Sequence, residues 1–298
     1  MQQKNKYILL ILFQCAIFGL DFVAVKYILE ANYAPFLLLS VRFFIATLTL
    51  FGFYSIFSFF RSGKIVSFSK KELSYGVIAG LFLFLSFALQ TYGAKYTTPA
   101  KNGVYTGLYV IFTPIIVMLF RKKFTWKPLL IAVVCFVGVM VVSNFFAEQL
   151  TINIGDILTM LCAVTFALHF ILLERFLSNS NLNFFNFTNV QLLVVAILSL
   201  IISFIIEPTE FHTLRFDTTI ILLFLFLGVA GTAISYYIQT LVQSKLSANT
   251  VSVVSCSEAV FAVIFGILFG YDLFSLSLVV GTLIIVTSMV LTSISNEK

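Results

Sequence analysis

The stretch SANTVSVVSCSEAVFAVIFGILF (247–269) decides the fold of this chain. It is apolar and exceeds the roughly 20 residues with which a helix crosses a bilayer. Glu258 lies near its middle, where a carboxylate needs a partner, a proton or a water-filled cavity. Small residues at helical spacing beside Glu258 allow a second helix to pack closely. We therefore interpret Glu258 either as a hydrogen-bonded lock between helices or as part of a transport pathway.

The composition is that of an integral membrane protein. Of the 298 residues, 60% are hydrophobic and only 10% are charged, whereas soluble domains average about 25% charged residues. The net charge of +6 does not indicate nucleic-acid binding, because the basic residues lie in short loops between apolar runs. The four cysteines lie within apolar runs and show no metal-ligand spacing, so we expect small core residues and no metal or cofactor.

Hydropathy predicts an all-α membrane protein with ten transmembrane helices and no separate soluble domain. The predicted spans are 7–26, 35–59, 73–94, 99–120, 127–145, 156–174, 186–206, 217–240, 247–269 and 274–293. With the N-terminus inside, 13 of the 18 Lys and Arg residues fall in inner segments, four fall outside and one, Arg42, lies within a span. The positive-inside rule then predicts that both termini lie in the cytoplasm, and we expect the protein in the plasma membrane.

An internal repeat relates the two halves of the chain. FGLDF (18–22) matches FALHF (166–170) with a shift of 148 residues, and LQT (89–91) matches IQT (238–240) with a shift of 149. This nearly constant shift predicts two five-helix repeats, 1–145 and 146–298. Because each repeat has an odd number of spans, the second is inverted, an arrangement common in secondary transporters whose binding site lies at the midplane.

Polar and aromatic residues deep in the spans are candidates for a substrate or ion pathway. Asp21 and its repeat mate His169 lie toward opposite faces, and Tyr109 occupies the position equivalent to Glu258, where it is expected to donate a hydrogen bond to that carboxylate. Alternative interpretations are an ion pair of Asp21 with Lys26 and a neutral His169 bonded to a backbone carbonyl. The predicted pathway residues are Glu258, Asp21, His169, Tyr109, Gln90, Gln239, Tyr105, Tyr236 and Ser257.

Other residues are assigned to helix packing. Arg42 is expected to extend its long side chain to the outer interface. Pro114 removes a backbone hydrogen bond and predicts a kink, static or hinged, in the fourth span. The GxxxG pairs predict close helix contacts; they are Gly76 with Gly80 and Gly103 with Gly107.

Several stretches, taken in order, resemble EamA-type transporters of the drug/metabolite transporter superfamily. They are FGLDFVAVK (18–26), SVRFFIA (40–46), YTTPAKNGVYTGLYVIFTP (96–114), GDILTMLCAVTFALHFILLERF (155–176) and SEAVFAVIFGILFGYD (257–272). Three positions depart from the family pattern: Asp21 replaces Asn or a small polar residue, Ala259 replaces Pro, and Asp272 replaces Glu. The resemblance implies a ten-helix basket whose central cavity is lined by helices 1, 3, 4, 6, 8 and 9. It also implies export or exchange of small metabolites, amino acids or drugs.

We expect a transporter that works by alternating access, driven by a proton or solute gradient, because the sequence has no nucleotide-binding motif. Its partners are the lipid bilayer and a neutral, zwitterionic or cationic solute. A sugar-phosphate or nucleotide-sugar exchanger is the alternative, although it would need deep Lys or Arg residues for phosphate. An intramembrane enzyme would need a catalytic pair, for which Asp21, His169 and Glu258 are available.

The predicted topology is tested with reporter fusions. Fusions after Gly63, Arg121 and Lys298 should report a cytoplasmic location, and a fusion after Phe211 should report an external one, because the basic residues concentrate on the inner side. An external C-terminus would be incompatible with two five-helix repeats.

Overall fold

The computed structural model describes residues 2–63, 66–96, 99–121, 125–142, 145, 152–178, 181–207, 217–270 and 274–294. All regular secondary structure in these residues is helical. The helices are α1 (Gln2–Glu30), α2 (Pro35–Ser62), α3 (Lys70–Ala94), α4 (Pro99–Gly107), α5 (Tyr109–Arg121), α6 (Trp126–Val142), α7 (Ile154–Leu177), α8 (Phe184–Ile206), α9 (Thr218–Gly228), a π-helical segment (Val229–Ile234), α10 (Ser235–Gln243), α11 (Ala248–Ser255), α12 (Ser257–Leu268) and α13 (Leu276–Ile294).

Eight helical segments in the described part of the chain are long and apolar enough to cross a membrane. They are Lys4–Glu30, Pro35–Arg61, Lys70–Ala94, Asn102–Phe120, Ile154–Leu177, Phe184–Ile206, Thr218–Gln243 and Ala248–Leu268. Two shorter apolar helices, Trp126–Val142 and Leu276–Thr292, correspond to the fifth and tenth predicted spans. The chain is therefore an all-helical, multi-pass membrane protein. Asp272 lies outside the described residues.

Local sequence signals account for several helix ends. At the start of α3, the Ser69 side chain accepts a hydrogen bond from Glu72 N, and the Glu72 carboxylate accepts one from Ser69 N. Asn153 and Asp156 form the same reciprocal capping box at the start of α7, which satisfies backbone donors that a helix start leaves unpaired. At the end of α2, Gly63 takes the left-handed conformation (φ 62°) that favours glycine.

Three of the predicted spans are interrupted near their middles. The fourth is divided at Leu108 between α4 and α5, and the ninth at Cys256 between α11 and α12. In the eighth, the π-helical segment joins α9 to α10. Pro114 lies inside α5 without ending it, so the sequence signal for a kink falls six residues after the interruption itself.

The glycine pairs differ in their packing. Gly76 and Gly80 hold α3 against α8: a Cβ on Gly76 would lie 2.8 Å from Val190 Cβ, and one on Gly80 would lie 2.8 Å from Val194 Cβ. These close contacts were predicted from the GxxxG spacing. On α4, a Cβ on Gly107 would lie 3.3 Å from a side-chain atom of α6, but one on Gly103 would meet nothing within 4 Å among the described residues. The prediction of a close contact at Gly103 is therefore wrong.

Substitution of Gly80 should destabilise the α3–α8 contact. Gly80→Ala forces a methyl group against Val194 and the Gln191 carbonyl oxygen, 2.9 Å away, and overpacking of this kind costs about 1–3 kcal/mol. The measurement is thermal unfolding of the purified protein in detergent. Gly52→Ala on α2 is the matched control, because its Cβ meets nothing within 4 Å. Equal effects of the two substitutions would contradict this packing.

Candidate substrate cavity

A cavity of about 670 Å³ occupies the centre of the helix bundle. All six spans that the family resemblance implied contribute to the cavity wall. In the structure these spans are α1, α3, α4 together with α5, α7, α10, and α11 together with α12. In addition, α2 contributes Arg42. Its mouth lies where α1 meets α2 and where α3 ends. The deep wall includes Gln14, Phe18, Asp21, Arg42, Phe87, Gln90, Thr106, Tyr109, Phe166, Phe170, Tyr236, Gln239, Ser255 and Glu258, and the mouth includes Lys26, Glu30, Tyr33 and Lys95.

Glu258 and Tyr109 meet at the two helix interruptions. Tyr109 is the first residue of α5, and Glu258 lies in the first turn of α12. The Tyr109 hydroxyl donates a hydrogen bond to Glu258 Oε1 at 3.1 Å, as was predicted from the repeat. Backbone N–H groups at the start of a helix favour a carboxylate there. Among the described residues, no Lys or Arg forms an ion pair with Glu258. The carboxylate is therefore paired with a neutral hydroxyl and not with a cation.

A buried ion pair joins α1 and α2 beside this carboxylate. Arg42 Nη2 lies 2.9 Å from Asp21 Oδ2, and the Arg42 side chain is only 2% exposed. The expectation that Arg42 extends to the outer interface is therefore wrong. Asp21 does not use Lys26 as its counter-charge, because Lys26 lies next to Glu30, 3.9 Å away. Sequence reasoning did not predict that the Arg42 side chain points into the bundle. The signal for it was an Asp and an Arg at similar depth in adjacent spans.

The π-helical segment provides the remaining contacts of this ion pair. Arg42 Nε donates to Thr232 Oγ1 at 3.0 Å, and Arg42 Nη2 donates to the Gly231 carbonyl oxygen at 3.4 Å. A Cβ on residue 231 would overlap Asp21 Oδ1, so a larger residue there would displace the Asp21 carboxylate from its present position. The guanidinium also lies 5.4 Å from the centre of the Phe87 ring, a favourable cation–π distance. Single-turn π-helices are frequent at functional sites.

Aromatic side chains form much of the cavity wall. The Phe87 ring packs edge-on against Phe166 and Tyr236, with ring centres 5.6 and 6.0 Å apart, and Tyr109 packs edge-on against Phe170 at 5.3 Å. Aromatic faces attract organic cations. The aromatic residues at the cavity are Phe18, Phe22, Tyr33, Phe87, Tyr109, Phe166, Phe170 and Tyr236.

The structure brings six of the nine predicted pathway residues to one cavity. They are Glu258, Asp21, Tyr109, Gln90, Gln239 and Tyr236. The other three are not among its lining residues: Tyr105 packs against Phe145, His169 is buried beside Gln191, and Ser257 donates to a backbone carbonyl. The alternative interpretation of His169, a bond to a backbone carbonyl, is replaced by this contact with an amide side chain. The described residues contain no group of three His, Cys, Asp or Glu that would hold a metal ion.

Comparison with known proteins identifies the relatives of this chain. The model of the EamA-like transporter family matches residues 5–144 and again residues 153–294. An uncharacterized transporter of Archaeoglobus fulgidus is 29% identical over 252 residues, which cover 84% of this chain and 74% of that protein. A solved crystal structure superposes with a TM-score of 0.78 over 97% of both chains. At 16% identity it supports the fold alone.

The Asp21–Arg42 pair should behave as one unit in a stability measurement. Arg42→Gln leaves the Asp21 carboxylate buried without a counter-charge, which costs about 3–5 kcal/mol. The double variant Asp21→Asn with Arg42→Gln removes both charges and should recover part of that loss, measured by thermal unfolding in detergent. A double variant as unstable as the sum of the two single variants would show that the charges do not interact.

Proposed function

We propose a solute and a driving force for this chain, which belongs to the EamA-like transporter family and is a multi-pass membrane transporter. The solute is a small organic molecule with a positively charged nitrogen, and it leaves the cell by alternating access in exchange for a proton. The observation that carries this proposal is Glu258, a carboxylate in an aromatic cavity whose hydrogen-bond partner is the neutral hydroxyl of Tyr109.

The proposed architecture is ten transmembrane helices in two inverted repeats. Two contacts support it. Tyr109 and Glu258 are 149 residues apart, which is the repeat shift, and each lies in the first turn of the second part of an interrupted span. The Asp21–Arg42 pair also has a counterpart, at shifts of 148 and 149 residues, since His169 Nε2 lies 3.2 Å from Gln191 Oε1. With both termini in the cytoplasm of a plasma-membrane protein, the cavity mouth faces outward.

The charges at the cavity favour a cation over a phosphate ester. Arg42 lies at the cavity rather than at the outer interface, so one basic residue is close to any bound solute. Its charge is matched by Asp21 at 2.9 Å, however, and its Nε and Nη2 groups already donate to Thr232, Asp21 and the Gly231 carbonyl oxygen. Glu258 is left as the carboxylate without a cationic partner among the described residues. An organic cation supplies that partner, and the aromatic walls stabilise it further.

Competition for one carboxylate couples the solute to the proton. Charge is expensive to hold away from water, so Glu258 in a closed cavity is neutralised either by a proton or by a bound cation. Both loaded forms carry the same net charge, which allows either one to cross through an occluded state. Because the two cannot bind together, a proton moving inward exchanges for a cation moving outward.

Glu258→Gln should remove the response of transport to a pH gradient while leaving the protein folded, because the amide keeps the shape of the side chain. The assay is uptake of radiolabelled benzyltrimethylammonium into acid-loaded proteoliposomes, with the membrane potential clamped. This permanently charged aromatic cation cannot cross lipid as a neutral base. The wild-type protein should concentrate the cation, and Glu258→Gln should give the same uptake with and without the gradient.

Glu30→Gln is the matched control. Glu30 also lies at the cavity, but at the mouth, where its side chain is 59% exposed beside Lys26, so this variant should keep wild-type gradient dependence. Gradient-dependent uptake by Glu258→Gln would identify the carboxylate as a structural lock. Binding of sugar phosphates in preference to benzyltrimethylammonium, measured as the shift in unfolding temperature, would contradict the cation site.

A further inference from the structure

We infer that a buried polar layer, made of Gln14, His169, Gln191, Gln239 and Gln243, is the closed inner half of the solute pathway. The inference deepens the proposed function and rests on its alternating-access step. It assigns to these side chains the wall along which an organic cation passes once the present cavity has closed.

The layer begins at the cavity floor, with Gln14 and Gln239, and extends away from the mouth. The cavity follows α1 from Gln14 to Glu30 and includes no earlier residue of that helix. On α10 it includes Gln239, and Gln243 lies one turn further from the mouth. The cavity therefore ends at Gln14 and Gln239, and the layer continues beyond them toward the opposite ends of the helices.

Hydrogen bonds connect the amides of the layer across three helices. Gln14 Nε2 on α1 donates to Gln239 Oε1 on α10 at 2.7 Å, and Gln239 Nε2 donates to Gln243 Oε1 at 2.9 Å. Gln243 Nε2 then donates to the Phe170 carbonyl oxygen on α7 at 2.9 Å. All three side chains are at most 2% exposed. These bonds hold the floor of the cavity closed in this conformation.

Two atoms of the layer lack a partner among the described residues. Both atoms are buried: Gln14 Oε1 accepts no hydrogen bond, and His169 Nδ1 neither donates nor accepts one. Buried polar groups in a static core are nearly always paired, because an unmade hydrogen bond is costly. Polar groups within a membrane protein commonly mark a pathway for solute or ions. The incomplete pairing fits a surface that is solvated in another conformation.

The repeat gives an independent reason for the same assignment. His169 and Gln191 are the counterparts of Asp21 and Arg42, which line the open cavity. In an inverted arrangement, the second pair occupies on the inner side the place that the first occupies on the outer side. His169 and Gln191 are both fully buried, as expected for the closed half.

The chemistry of the layer suits a cation that is passing rather than bound. Amide oxygens of Gln14, Gln239 and Gln243 stabilise an ammonium group by hydrogen bonds or dipoles, but none of them carries a full charge. The layer therefore solvates the solute without competing with Glu258 for it.

Accessibility of residue 243 tests the inference. Gln243→Cys is reconstituted, and a membrane-impermeant methanethiosulfonate reagent is applied to the cytoplasmic side, with peptide mass spectrometry reporting each cysteine separately. Val242→Cys is the matched control, since Val242 is equally buried but packs in an apolar cluster with Ile11 and Val251. The cysteine at residue 243 should react with the reagent at least about tenfold faster than the cysteine at residue 242.

Equal reaction at 243 and 242 in protein that still transports benzyltrimethylammonium would overturn the inference and leave the proposed function standing. If Gln243→Cys does not fold, Gln191→Cys and its buried apolar neighbour Leu192→Cys make the same comparison on α8. Loss of gradient-dependent uptake in the wild-type protein would instead count against the proposed function, while the labelling comparison would still report whether the layer opens.

Gln243→Leu and Gln243→Asn provide a second readout. The leucine removes polarity from the layer and should slow uptake about tenfold, whereas the asparagine keeps an amide and should retain most of it. Binding of benzyltrimethylammonium at the outer cavity, measured by its effect on unfolding temperature, should be unchanged in both. Wild-type uptake by Gln243→Leu would place the pathway elsewhere.

Discussion

A polar side chain inside an apolar layer must find its partner within the protein, and this constraint organises the whole bundle. Arg42 satisfies it with Asp21 and Thr232, and Gln14 satisfies it in part with Gln239. The contacts of Arg42 with Thr232 and of Gln14 with Gln239 join helices that are far apart in the sequence, so the polar groups also help to fix which helices lie side by side. Glu258 is the exception that points to function, because its partner is a neutral hydroxyl rather than a cation.

The interrupted helices explain how this carboxylate is held. Glu258 and Tyr109 both follow breaks in spans that would otherwise be continuous, and transporters commonly build midplane sites from such discontinuous helices. The backbone at the start of α12 favours the charge on Glu258, and the aromatic walls favour a cation beside it. The charges of the neighbouring ion pair balance each other, so Glu258 is the carboxylate that the proposed exchange of a proton for a solute uses.

The sequence predicted the parts of this arrangement that depend on composition, spacing and the repeat shift. The membrane class followed from hydropathy, the contact of Gly76 and Gly80 from helical spacing, and the hydrogen bond from Tyr109 to Glu258 from equivalent positions in two halves. It did not predict the direction of Arg42. Depth along one helix says how far a side chain is from water, but the side chain's partner depends on how neighbouring helices are rotated.

The helix interruptions were not predictable for a related reason. Neither Leu108 nor Cys256 is a helix-breaking residue, and Pro114, the one proline in the interior of the fourth span, lies inside a continuous helix. The π-helical segment depends on contacts made after the fold has assembled, because Arg42 reaches Gly231 and Thr232 from another helix. Gly103 shows the same limit, since GxxxG spacing does not reveal whether a neighbouring helix is present.

Proton release on solute binding tests the central claim most directly. Benzyltrimethylammonium is added to the purified protein in weakly buffered detergent solution, and the pH change is recorded at a pH where the cavity carboxyl is protonated. If a cation and a proton compete for Glu258, wild-type protein releases protons in proportion to the cation bound, and Glu258→Gln releases none. Binding without proton release in the wild-type protein, or equal release from Glu258→Gln, would contradict the account.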